Sequence, residues 1–353
     1  MHSLDQRDFV LRLDPKEMYR LTCEFPDQVA RAAEVANAAS LPNWSAKPDN
    51  VLLTGLGGSA SGGDFTRALF EAFGSVPFAV NRDYDLPSYV GPGSLVFATS
   101  YSGNTEETLS AYDQAKKKGA SIFVVTSGGK LADLARQDGF PLIVIPGGQP
   151  PRTALGFMLI PVIVACGKMG LIPEQDIAGL VAHLKAVVAR FSIEVPFESN
   201  PTKQLAANLQ GAVSTIYGVG SWPSIVAYRW RCQINENSKN MTFHHAFPEL
   251  NHNEILGWVK SEGQGVQKWV SIILSDGTES AKMKKRVEVT EDLIRAKTEI
   301  HHVRADGDDL LQKMLGFALY GDFVSLYLAA LNEVDPENID SINILKTALA
   351  GVP

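Results

Sequence analysis

The residues best suited to chemistry lie in Ala98–Leu109 (A-T-S-Y-S-G-N-T-E-E-T-L), where Thr99, Ser100, Ser102 and Thr105 crowd four hydroxyls into one turn. An apolar run over 94–99 precedes it, and a helical pattern over Glu106–Lys118 follows. Gly103 lets the backbone come close to a bound group. The N–H groups and dipole at a helix start favour an anion. No Lys or Arg lies in the turn, so hydroxyls and backbone dipoles would hold that anion, which suits a phosphate monoester. The competing account is an ordinary helix start, with Asn104 as cap and Glu107 as its capping-box partner.

A second polar loop, Gly55–Gly63, follows the apolar run Val51–Thr54. Its G-L-G-G-S-A segment matches the dinucleotide fingerprint, with Arg82 and Asp83 at the distance expected of a ribose-reading residue. An NAD(P)-dependent oxidoreductase is therefore one reading. Against it, Ser59, Ser61 and a second glycine pair exceed what a pyrophosphate turn requires. Two polar loops at neighbouring strand ends suit one small sugar phosphate.

Three further places carry candidate chemistry. The Pro/Gly-rich stretch 146–151 delivers Arg152 ahead of an apolar helix over Ala154–Cys166, where it either stabilises an oxyanion or is a surface charge at a helix end. Glu236 ends a helix that begins near Pro223, and His252 follows in a polar loop. An acid and a His so placed are what proton abstraction beside a carbonyl needs; a plain polar helix end and loop is the alternative. Lys346 sits alone on an apolar C-terminal helix, a pattern usual for a snorkelling surface residue. The pairs His244–His245 and His301–His302 lie in strand-like runs, so adjacent rings point to opposite faces, and neither has metal-ligand spacing.

These residues need elements to position them. Short continuous apolar runs at 51–54, 77–80, 95–99, 122–126 and 142–145 alternate with helical patterns, which predicts a parallel sheet covered on both faces. Ligands of such sheets bind beyond the carboxyl ends of the strands. The helix over Asp64–Phe73 is expected to follow the Gly55–Gly63 loop. Residues 173–200 read as an amphipathic helix and a polar break; strand–loop–helix order then returns at 213–219, 268–274 and 299–304. The expected organisation is an N-terminal helical arm (1–45, interrupted at Pro26), a first domain (46–195) and a second (196–353), with a cleft between two related sheets.

A length of 353 residues suits two domains, and 45% hydrophobic with 20% charged residues suits a soluble globular chain. The net charge of -7 argues against nucleic acid, and the basic run Lys282–Arg286 is followed by acids, as on a solvated helix face. Three cysteines without metal or redox spacing read as reduced thiols. No signal core is expected, nor an apolar run of membrane-spanning length, so the expectation is a cytoplasmic protein without a membrane partner.

Taken together, S-Y-S-G-N-T-E-E-T after a strand, G-x-G-G-S-A, N-E-N-S-K and P-E-L-N-H-N-E resemble the bifunctional phosphoglucose/phosphomannose isomerases of the sugar isomerase (SIS) domain superfamily. The first motif is common among SIS proteins; the last two are more specific. The resemblance covers nearly the whole chain. It implies an α/β fold of two tandem SIS domains, each a doubly wound parallel sheet flanked by helices, in a homodimer. It implies interconversion of glucose 6-phosphate and mannose 6-phosphate with fructose 6-phosphate through a cis-enediolate, without metal or organic cofactor, in glycolysis and gluconeogenesis. By motif position, Ser100, Ser102 and Thr105 would hold the phosphate, and Gly58 and Ser59 would line the sugar. Glu236 would carry the proton between C1 and C2, and Arg152 would stabilise the enediolate. His252, from the partner subunit, and Lys346 would serve ring opening. A non-catalytic SIS sensor of phosphosugars is the alternative; it explains the phosphate turn but not Glu236, His252 and Arg152 together.

Overall fold

The computed structural model describes residues 2–39 and 47–349. The expected junction of arm and first domain, at 45 and 46, lies outside them. The described chain opens with helices α1 (Arg7–Leu11), α2 (Met18–Cys23) and α3 (Phe25–Ala38). The helical arm is interrupted beside Pro26, as expected: α2 ends at Cys23 and α3 starts at Phe25. Pro26 itself lies in the first turn of α3, where its missing N–H costs nothing.

The chain then divides into two compact units, one of Glu24–Lys185 with Asp308–Gln312 and the other of Met1–Cys23, Ala186–Gly307 and Lys313–Pro353. In the Glu24–Lys185 unit the order is β1 (Asn50–Thr54), α4 (Gly57–Phe73), β2 (Phe78–Asn81), β3 (Ser94–Ser100), α5 (Glu106–Lys117), β4 (Ser121–Thr126), α6 (Gly129–Asp138), β5 (Leu142–Val144), α7 (Leu155–Lys168) and α8 (Ile177–Phe191), which runs on into the other unit. The five strands are parallel in the order β2-β1-β3-β4-β5. Every residue of β3 is buried, as a strand covered on both faces requires. The winding reverses between β1 and β3, so the chain leaves those two strands in opposite directions and opens a crevice at their carboxyl ends.

The second unit follows with α9 (Pro201–Leu209), β6 (Val213–Val219), α10 (Ser221–Ser238), β7 (Thr242–Phe247), α11 (Glu254–Gly257), β8 (Trp269–Ser275), α12 (Ala281–Ile294), β9 (Glu299–Arg304), α13 (Leu310–Leu331) and α14 (Asp340–Leu349). Its four parallel strands run β7-β6-β8-β9, the same winding as the first sheet less one strand. Both sheets are thus doubly wound, as the family resemblance implies.

One helix, α13, has the length and composition to cross a membrane, contrary to the expectation that no run reaches that length. Of its most apolar 18-residue window, 89% is buried within the fold. A helix apolar all round is what a core position demands.

Candidate active site

The hydroxyl turn sits at the winding reversal. Ser100 ends β3, is 1% exposed, and its Oγ lies 2.8 Å from Thr105 Oγ1. Thr105, not Asn104, is the N-cap of α5, and its side chain makes no capping bond. The capping-box reading therefore fails. Asn104 instead reaches sideways, accepting from Lys130 N at 3.0 Å and donating to the carbonyl of Ser102 at 3.2 Å. Ser102 is exposed at the mouth, and its Oγ accepts from Asn104 N at 3.3 Å. Gly103 is obligatory: its φ is +71°, and a Cβ there would lie 1.8 Å from the carbonyl oxygen of Gly128.

The Gly55–Gly63 stretch is not a loop. Helix α4 begins at Gly57, so Ser59 and Ser61 lie on its first turns and both are buried. Glycine lowers helix propensity, which hides this start in the sequence; packing overrides it. Ser59 Oγ accepts from Tyr101 N at 3.2 Å, joining the first turn of α4 to the end of β3. Gly58 lies against the short 3-10 turn Pro151–Thr153, and a Cβ on it would stand 2.6 Å from Pro151 O. That contact sets Arg152 beside the first turn of α4. Arg152 is only 6% exposed, so the surface-charge reading is overturned: it is a desolvated cation at the crevice. Gly58, Ser59, Ser100, Thr105 and Arg152 thus belong to one cluster, with Ser102 at its rim.

Tyr101 organises this cluster and is the residue that sequence reasoning misses. Its N–H binds Ser59, its carbonyl accepts from Ser127 N and Oγ, and its hydroxyl accepts from Gln149 N at 3.3 Å. Gln149 in turn donates to Thr153 Oγ1 at 3.0 Å, next to Arg152. Burial raises the Tyr101 pKa, keeping the phenol neutral. The available signal is an aromatic inside an otherwise small and polar turn. Arg82, which the dinucleotide reading needs at a ribose, is paired with Asp64 of α4. Burial raises the Asp64 pKa, with Arg82 and Arg67 opposing it.

The matching turn of the second sheet, between β8 and α12, is filled by the protein itself. Glu279 Oε1 accepts from Asp276 N at 2.8 Å and Gly277 N at 3.0 Å, while Asp276 Oδ1 accepts from Thr278 N at 2.8 Å. Carboxylates already take those donors, so an external phosphate meets like charge there. Between these two turns, the one in the first sheet is lined by hydroxyls and the other by acids.

In the second unit, Glu236 is half-buried in the last turn of α10. The adjoining stripe of α10 is fixed to α13: Arg229 pairs with Asp322 at 2.6 Å, Gln233 donates to Asp322 at 3.0 Å, and Asn237 donates to Ser325 Oγ at 2.9 Å. His252 is exposed at the end of a 3-10 turn, Glu249–His252, that follows the cis Phe247–Pro248 bond. Lys346 is exposed on α14, a helix with no buried residue to fix it. Among the described residues no three His, Cys, Asp or Glu side chains group as a metal site.

Comparison with known proteins agrees with this fold. The SIS domain family matches residues 46–150, and the family described as "Bacterial phospho-glucose isomerase C-terminal SIS domain" matches residues 198–349. A bifunctional phosphoglucose/phosphomannose isomerase of Caldicellulosiruptor bescii is 40% identical over 95% of this chain and 99% of its own. One from Thermoplasma acidophilum is 32% identical over 85% of this chain and 90% of its own. A hypothetical protein of Thermus thermophilus shares the fold, with a TM-score of 0.75 at 16% identity, covering 98% of this chain and 93% of that one. With two doubly wound SIS domains and near full-length identity of this order, the chain belongs to the bifunctional phosphoglucose/phosphomannose isomerase family.

Proposed function

We propose that this chain is an aldose–ketose isomerase that interconverts glucose 6-phosphate and mannose 6-phosphate with fructose 6-phosphate. The observation that carries this is the 40% identity to a bifunctional isomerase over 95% of the chain. The hydroxyl cradle at the β1/β3 reversal supports it, because its donors suit a phosphate monoester and its own capping group leaves the helix start uncapped.

Isomerisation proceeds in three steps under this proposal. Ser100, Ser102 and Thr105 hold the phosphate, with Gly58 and Ser59 along the sugar. His252 and Lys346 exchange protons with O5 and O1 as the ring opens. Glu236 removes the proton from C2 of the aldose and returns it to C1 on the same face while the hydroxyl proton of O2 passes to O1, so one carboxylate suffices for the carbon-bound proton. Negative charge gathers on the enediolate oxygens, and Arg152, buried and therefore acting through little water, opposes it. Rotation about C2–C3 before the proton returns admits the C2 epimer. Neither metal nor organic cofactor takes part in this scheme. The enzyme works as a homodimer, with His252 supplied across the interface, in the cytoplasm.

Replacing Glu236 with Gln tests the proposal. Turnover falls by about 10³-fold or more while fructose 6-phosphate still binds by calorimetry. Full turnover in that variant would remove the base from the scheme. A wild-type chain that binds phosphosugars without converting them would instead be a sensor.

A further inference from the structure

We infer that Lys239 is a positioning residue for the Glu236 carboxylate, a role that rests on the isomerase proposal above. Lys239 is the C-cap of α10, with φ 53° and ψ 34°. That left-handed conformation is the natural place of glycine or asparagine; a lysine there is strained. The side chain must offset that strain, and its contacts show how. Lys239 Nζ donates to the carbonyl of Glu236 at 2.8 Å, to that of Asp335 at 2.8 Å and to that of Pro336 at 3.4 Å. An ammonium has three donors, and these three backbone oxygens lie within its reach.

The contact ties the last turn of α10 to the segment just before α14. The positive charge also sits where the helix dipole favours it. A second tie lies alongside, because Asn332 Nδ2 donates to the carbonyl of Ser238 at 2.9 Å. The α13-facing stripe holds the shaft of α10, and Glu236 lies beside it in the last turn, the one that Lys239 closes. A base that serves two adjacent carbons tolerates little wander, and small misplacements of a reacting group cost large factors in rate. The phosphate is assigned to residues of the other unit, so loosening Lys239 acts on turnover and spares binding.

Lys239→Gly separates the two roles a C-cap lysine can play. Glycine relieves the backbone and keeps the helix stop, but removes the ammonium. The expected result is a kcat lower by about tenfold to a hundredfold, a KM for fructose 6-phosphate within about twofold, and no fall in Tm. Lys239→Arg, which keeps the cation, recovers most of the turnover. Amide exchange in peptides covering 234–240 and 334–338 rises about tenfold in Lys239→Gly and stays unchanged elsewhere. A glycine variant with wild-type kcat, or with unchanged local exchange, overturns the inference; so does a raised KM at intact kcat, which would make Lys239 a substrate contact. If wild-type protein itself fails to isomerise fructose 6-phosphate, the isomerase proposal falls and the positioning role with it. If wild type isomerises and the glycine variant matches it, only the role of Lys239 falls.

Discussion

Ser100 Oγ and Thr105 Oγ1 meet at 2.8 Å across the turn from β3 to α5. Thr105 occupies the N-cap position, yet its hydroxyl goes to Ser100 and not to the helix. Two hydroxyls so paired present one edge to whatever enters the crevice, and the helix start behind them is uncapped by its own residue. In the second sheet the turn after β8 is closed by Glu279 and Asp276. The contrast favours the first sheet as the phosphate site.

Under the proposed phosphate assignment, Ser100→Ala and Thr105→Val each remove one neutral hydroxyl that would face a dianion. Loss of a hydrogen bond to a charged group corresponds to about tenfold to a hundredfold in affinity. Steady-state kinetics should show KM for fructose 6-phosphate raised by that order in each variant, with kcat within about threefold. An unchanged KM in both would place the phosphate elsewhere.

Gly58 and Gly103 fail differently when given a side chain. A Cβ at Gly58 meets Pro151 O at 2.6 Å, and backbone on both sides leaves no flexible group to yield. Gly58→Ala should push the Arg152 turn away and lower kcat by about tenfold or more while the fold survives, as read by circular dichroism. Gly103→Ala adds a contact of 1.8 Å to a positive φ, so it should destabilise by about 3 kcal/mol or abolish folding.

Much of the fold was legible because continuous apolar runs at 51–54, 94–99 and 213–219 fit strands buried on both faces. Residue types alone also marked Ser100, Thr105 and Glu236. The start of α4 was hidden, since four glycines among its first seven residues argue locally for a loop, and only packing makes them helical. Helix α13 lacks periodicity because it is buried all round. The role of Tyr101 was invisible for another reason: its partners Ser59 and Gln149 lie 42 and 48 residues away. His252 and Lys346 took their roles from family resemblance, since an exposed His and an exposed Lys look ordinary in any sequence.

Lys203 is fully buried and pairs with Asp5 at 2.9 Å, also donating to the carbonyls of Ile193 and Val195. Burial works to raise the Asp5 pKa, but the Lys203 hydrogen bond and charge overcome it and the net direction is downward. A carboxylate held below its unfolded pKa stabilises above that pKa, and the contribution is lost as pH falls through the folded value. Asp5→Asn should cost about 3 kcal/mol at pH 7 by urea denaturation, because it strands a buried cation. The deficit should shrink at pH below the carboxylate range, where wild type loses the same charge.

His244 has its pKa pushed down to about 4, first by burial and then by Arg231 and His245. The unfolded chain, titrating near 6.5, binds the proton that the folded chain refuses, so stability rises with pH between those values. Lowering the pH from about 6.5 to about 4 should remove on the order of 2 kcal/mol through this group, a figure reduced for its partial exposure to solvent. His244→Phe should flatten that part of the stability profile. An identical profile in both proteins would mean that His244 titrates freely.

The central claim is tested most directly by incubating the purified chain with fructose 6-phosphate and EDTA, and quantifying glucose 6-phosphate and mannose 6-phosphate separately over time. Both products should form, and Glu236→Gln should form neither while still binding the substrate. Glucose 6-phosphate alone would contradict the C2-epimer step, and neither product from wild type that binds the sugar phosphate would contradict the isomerase account as a whole.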